Sequence, residues 1–239
     1  MNILLIETAT SVCSVALSTG RSPLVTRCST EPNAHSTRLT VFIDELLRSA
    51  GIGPGQIDAV CVSAGPGSYT GLRIGTSTAK GLCYALEKPL LSVPTLLSMA
   101  ALYYRQHPDY TGLVCPMIDA RRMECYTMIV SAKGDILRDT HADVISEGFY
   151  DQWLDDNVVT FIGDGAGKTR PVLGSHPNAR FDQSFVVSAE GMADIAEQKL
   201  REGRVEDVAY FEPFYLKDFV AKKSVVHGLR EDKPVAGSR

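Results

Sequence analysis

Residues 57–81, IDAVCVSAGPGSYTGLRIGTSTAKG, constrain the fold more than any other stretch of the chain. The opening IDAVCVSA is short and almost continuously apolar, the pattern of a strand covered on both faces. Glycines and a proline then break it before a helical segment that should run over about 70–87. Strand, glycine turn, helix is the repeating unit of an α/β protein. The 239 residues, 44% of them hydrophobic, suffice for one large domain or two lobes with packed cores.

The glycines invite a phosphate-loop reading, which spacing removes. A Walker A loop needs four residues between its glycines and then Lys-Ser/Thr; Gly67 and Gly71 stand one residue too close and no lysine follows. The dinucleotide pattern fails because Thr70 occupies the place of its third glycine. IGDGAGKTR ends correctly at Gly167-Lys168-Thr169, but Ile162 replaces the first glycine, so it reads as a strand-ending turn with a surface lysine. Pro66 and Thr70 flank Ser68 where a nucleophile elbow needs glycines. What remains is a row of small residues, Gly71, Gly75 and Ala79, one helical turn apart. Glycine costs on the order of 1 kcal/mol relative to alanine inside a helix, so a bare helix face calls for a close contact, within the chain or with a partner.

Elsewhere the pattern is also α/β. MNILLIETATSVCSVAL gives a strand, a polar bend around Thr8–Ser11 and a second strand. Leu39, Phe42, Ile43, Leu46 and Leu47 recur at helical spacing before Gly51, a helix with one buried stripe and a glycine stop. A helix through LLSMAALYYRQ follows KPLLSVPT, and His107-Pro108 marks a break. Strands GLVCPMID and ECYTMIVSA, a shorter one near GDILRD, a helix SEGFYDQWLDD, a strand VVTFIG and a helix AEGMADIAEQKLRE complete a second lobe in the style of the first. The expected divisions are residues 1–105, 106–216, with a late helix packing back on the first lobe, and a tail 217–239.

The formal charge of −4, from 28 acidic and 24 basic residues, argues against a chain that grips nucleic acid with its whole surface. Only the tail is locally basic, with six Lys or Arg against three acids; it reads either as a solvated terminus or as a tRNA contact. No apolar run approaches the roughly 20 residues of a membrane helix and the N-terminus lacks signal-peptide features, so a cytoplasmic protein with no membrane contact is expected. Six cysteines without a C-x-x-C pair read as reduced core residues. His35 has Leu39 where a second helical metal ligand would stand, and the carboxylate pairs Asp44-Glu45 and Asp155-Asp156 read as solvated. No catalytic or metal site emerges.

LLIETATSVCSVAL, AHSTRL, AGPGSYTGLRIG, PMIDARRMECY and EPFYLKDFVAKK, in that order along nearly the whole chain, together resemble the TsaB (YeaZ) family. That resemblance implies an α/β, actin-like (ribonuclease H-like) ATPase fold of two lobes with mixed sheets flanked by helices. It implies a non-catalytic subunit that pairs with a TsaD-type catalytic subunit for threonylcarbamoyl transfer to adenosine 37 of tRNAs reading ANN codons. A TsaE-type ATPase joins the pair, tRNA is met through the complex, and the isolated chain can form a homodimer. The family's pairing surface is built from its first two helices, which implies Leu39, Phe42, Leu46, Gly71, Arg73, Gly75, Ser77, Ala79 and Lys80 as interface residues, the glycine row keeping the docking face bare. Glu7 and Thr8 at the first bend, with Gly163 and Gly165, mark a degenerate nucleotide cleft. No cofactor is expected to bind the isolated chain tightly, ATP entering at low affinity or in the complex. The competing readings are an ATP-dependent kinase or ATPase of the same fold, or a peptidase, the family's older label.

Overall fold

The computed structural model describes residues 1–20 and 25–217. The first sheet contains β1 (Ile3–Glu7), β2 (Cys13–Ser18), β3 (Val25–Ser29), β4 (Ala59–Ser63) and β5 (Leu90–Val93) in the order β3-β2-β1-β4-β5. The second contains β6 (Leu113–Asp119), β7 (Glu124–Val130), β8 (Ile136–Val144), β9 (Val159–Ile162) and β10 (Ala179–Asp182) in the order β8-β7-β6-β9-β10. In each sheet the first three strands are antiparallel and the last two add in parallel. One five-stranded topology thus occurs twice, the duplicated α/β architecture of the actin-like fold.

The helices are α1 (Ala34–Thr37), α2 (Leu39–Ser49), α3 (Tyr69–Leu86), α4 (Thr95–Gln106), α5 (Asp151–Leu154), α6 (Ala166–Leu173) and α7 (Ala193–Arg201). Alternation along β1 assigns its two faces. Leu4 and Ile6 pack with Leu39, Phe42, Leu46 and Ala79 under α2 and α3, whereas Ile3 and Leu5 pack with Ala189, Met192, Ala193 and Ala196 under the start of α7. The chain crosses between sheets at Pro94: α4, which follows β5, lays Leu96, Met99 and Tyr103 on Val114, Ile118 and Met128 of the second sheet. The other face of that sheet is covered by α5 and α6 through Leu154, Ala166 and Leu173.

Several local expectations need correction. β3 (VTRCS) and β10 (ARFD) are half-buried strands with charged residues among the apolar ones, and β5 (LLSV) lies between Pro89 and Pro94, so none shows a strand pattern in the sequence. The strand near GDILRD is β8, nine residues long; its exposed Ile136 and Leu137 and its bulged pairing with β7 blur the alternation. Of the helix expected over SEGFYDQWLDD only one turn forms. Five cysteines are buried and free, but Cys28 is exposed on β3. The basic tail after Lys217 lies outside the described residues.

Candidate functional site

The carboxyl end of β1 is closed by its own chain. Glu7 is fully buried; its Oε1 accepts from the Ala9 amide at 2.6 Å and from Ser63 Oγ at 3.0 Å. Its Oε2 and Thr8 Oγ1 are buried without a partner among the described residues. Burial pushes the Glu7 carboxyl up to about 7, despite the hydrogen bonds from Ala9 and Ser63 that favour its charged form. The turn after β4 then presses on the bend. Ser68 donates its amide to the Ala9 carbonyl at 2.6 Å and caps α3 by accepting from the Gly71 amide at 3.2 Å.

This contact explains the glycines. A Cβ on Gly67 would fall well under 3.0 Å from Ala9 O, one on Gly71 equally close to Thr8 O, and one on Gly75 equally close to Thr8 Oγ1. Ala79 is fully buried on the same side. The small-residue row of α3 therefore faces inward and does not form the bare docking face expected of it; four-residue spacing reports close approach but not from which side. Leu39, Phe42 and Leu46 are likewise 2%, 4% and 0% exposed, core residues that cannot themselves meet a partner. The fold requires them: they fill the space between α2 and β1, β2 and β4.

The outer face of these helices carries other side chains. On α3, Arg73 and Ser77 are exposed and Tyr84 is 84% exposed. On α2, Val41 is 40% exposed, beside Asp44 and Arg48, which pair at 2.9 Å. Lys80 turns aside and donates to the carbonyls of Ala209 and Phe211 at 3.0 and 3.1 Å. The Arg73 guanidinium lies 4.4 Å from the Tyr69 ring centroid. Val41 and Tyr84 escaped the sequence reading because attention to the apolar stripe selects the buried side; an aromatic opposite that stripe was the available signal.

In the second lobe, Gly163 has φ 94° and a Cβ there would clash with the Met117 carbonyl. A Cβ on Gly165 would sit 3.0 Å from Cys125 Sγ, and its amide donates to Met117 O at 3.1 Å. Both glycines thus serve close packing of the β9–α6 turn on β6. Asp164 accepts from the Asp119 amide at 2.9 Å, and burial raises its pKa. Lys168 is no free surface lysine. It pairs with Asp119 and donates to the Glu124 carbonyl at 2.6 Å. Burial pushes the Asp119 carboxyl up, but hydrogen bonds from Lys168 and the Arg121 amide outweigh it and hold that carboxyl below the ordinary value. Glu7 and Thr8 on one side, Gly163 and Gly165 on the other, lie at the carboxyl ends of β1 and β9, where α/β sheets bind ligands. Their polar groups are engaged internally or sealed, a poor fit to a magnesium nucleotide. His35 keeps Nε2 buried and unpartnered, and the described residues contain no group of three or more His, Cys, Asp or Glu able to hold a metal.

Comparison with known proteins places these features in context. Residues 30–155 match the family model described as TsaD: tRNA N6-adenosine threonylcarbamoyltransferase. The tRNA threonylcarbamoyladenosine biosynthesis protein TsaB of Escherichia coli K12 is 32% identical over 232 residues, covering 94% of this chain and 98% of that protein. The Bacillus subtilis protein of the same name is 30% identical over 168 residues, 68% of this chain and 71% of its own. The solved YeaZ from Pseudomonas aeruginosa superimposes with a TM-score of 0.77 at 29% identity, covering 90% of this chain and 99% of that one.

Proposed function

This chain belongs to the TsaB (YeaZ) family, and from that premise we propose that it is the non-catalytic subunit that pairs with a TsaD-type transferase in making tRNA threonylcarbamoyladenosine. The transferase carries threonylcarbamoyl to adenosine 37 of tRNAs reading ANN codons; this chain holds and activates it in the cytoplasm. The observation that carries the reading is the sealed end of β1. Where an actin-like enzyme would handle phosphates, Glu7 is buried and the α3 turn is packed on the bend. We assign the pairing surface to the outer faces of α2 and α3, with Val41, Arg73, Ser77 and Tyr84 in place of the buried apolar stripe.

Supporting this, the stretch matching the TsaD model spans both helices, so the two subunits can meet through like elements in a nearly two-fold contact. A homodimer of the isolated chain uses the same face. A TsaE-type ATPase and tRNA join through the complex, and ATP binds the isolated chain weakly or not at all. Tyr84→Asp combined with Val41→Asp changes two exposed positions and leaves the core intact, so the fold should persist. Affinity for the TsaD-type subunit should fall about 10-fold or more, the loss of an aromatic anchor. Full affinity in surface plasmon resonance would refute the assignment.

A further inference from the structure

Beyond pairing, the structure assigns residues 206–217 a role of their own: we propose that this strap is an intramolecular latch that ties the glycine turn of the first lobe to the β6–β7 turn of the second and fixes the separation of the lobes. Among the described residues, two other crossings join the lobes. One is Pro94, leading into α4; the other is 183–188, leading into the 3-10 turn Ala189–Met192. The two are adjacent, because that turn packs on α4 so closely that a Cβ on Gly191 would clash with Ser98 O. Two adjacent crossings define a hinge about which lobes can rotate. The strap adds a third tie: it is seated beside the first crossing, where Gly65 exchanges hydrogen bonds with Thr95 at 2.9 and 3.1 Å, and it runs from there to the β6–β7 turn, restraining the rotation.

The strap supplies that tie through a series of anchors. Its start adds to the edge of β5, the Glu206 amide donating to Leu90 O at 2.8 Å. Lys80 of α3 donates to Ala209 O and Phe211 O, and Val208 and Phe211 pack on the first-lobe core. The Phe214 amide donates to Ala64 O at 2.7 Å, and Phe214 O lies 2.6 Å from where a Cβ on Gly65 would be, so glycine is needed there for the strap to seat. Tyr215 then packs on Tyr69 with ring centroids 4.8 Å apart. Lys217 finally crosses to the second lobe and pairs with Glu124 at the start of β7. Tyr210 and Phe214 remain 84% and 48% exposed, so the strap is held by point contacts over little buried area, as a segment that opens independently of the core should be.

The test is the separation of the lobes. Spin labels at Arg48→Cys and Arg170→Cys, exposed positions on α2 and α6, in a Cys28→Ser background, report it by double electron–electron resonance. Lys217→Glu and Glu124→Lys should each shift the population toward longer distances by about two- to five-fold, the range expected for a partly exposed ion pair. The double swap should restore the native distribution. Phe214→Pro, which removes the amide that holds Ala64 O, should lengthen the distances even if the ion pair reforms. Unchanged distances in Lys217→Glu and Phe214→Pro overturn the latch, as does a double swap that stays open while the single variants open.

Discussion

The inward-facing glycine row makes a prediction in which two substitutions of the same kind, ten residues apart on α3, have opposite signs. Gly81 is exposed, and a Cβ there meets nothing within 4 Å. Gly81→Ala therefore gains only helix propensity, about 0.5–1 kcal/mol. For a chain of this size that raises Tm by roughly 1–4 °C. Gly71→Ala gains the same propensity but drives its Cβ into the Thr8 carbonyl. That oxygen belongs to the backbone of the β1–β2 bend, which is tied to β4 through Ser63 and to the α3 turn through Ser68, so relief requires displacing the hairpin or the helix. Overpacking of this kind costs about 1–3 kcal/mol and often more against backbone, which outweighs the propensity gain. Gly71→Ala should melt several degrees below the native chain and Gly81→Ala slightly above it in calorimetry at one pH, with unchanged far-UV circular dichroism below the transitions. A Gly71→Ala variant as stable as native would refute the packing of the glycine row on the bend.

Two further expectations concern the sealed end of β1. Because burial raises the Glu7 pKa from 4.5 to about 7, the folded chain keeps a proton that the unfolded chain releases across that window. The contribution of Glu7 to stability is therefore full below about pH 4.5, declines as pH rises to about 7 and is constant above, a change of about 3 kcal/mol at about 1.4 kcal/mol per pKa unit. Glu7→Gln should gain by that amount relative to native between pH 4.5 and 7.5 in urea denaturation, and a difference independent of pH would count against the buried neutral acid. Isothermal titration of the purified chain with magnesium ATP should give no saturable heat in the micromolar range; a tight, stoichiometric isotherm would show that the bend opens to phosphate.

How much of this was legible in the sequence depended on what each signal encodes. The buried strand Ala59–Ser63, the turn and α3 could be placed because a continuous apolar run, a glycine cluster and a helical period coincide there. The spacing of Gly71 and Gly75 announced a close approach, yet direction is a tertiary property. Only the position of Thr8 shows that the approach comes from the hairpin inside the chain. The period of Leu39, Phe42 and Leu46 marks one face of a helix and its burial together; assigning that stripe also to a partner asks one surface to do two jobs. β3 and β10 carry charged residues among half-buried apolar ones and β5 sits between two prolines, so none has a strand signature, and the placing of α4 on the second sheet has no local signature either. The segment 206–217 shows no hydrophobic period: only Val208 and Phe211 reach the first-lobe core, and the rest is held by backbone hydrogen bonds, one tyrosine pair and one ion pair. The spacing around Lys168 excludes a phosphate-loop lysine but does not reveal its partners Asp119 and Glu124, more than forty residues away.

The most direct test of the account is nucleoside analysis of bulk tRNA from cells depleted of this chain. Its assignment as an obligatory partner in threonylcarbamoyl transfer predicts that threonylcarbamoyladenosine falls to a small fraction of the native level and returns on re-expression of the native chain but not of the Val41→Asp, Tyr84→Asp variant. Threonylcarbamoyladenosine that stays at the native level after depletion would contradict it.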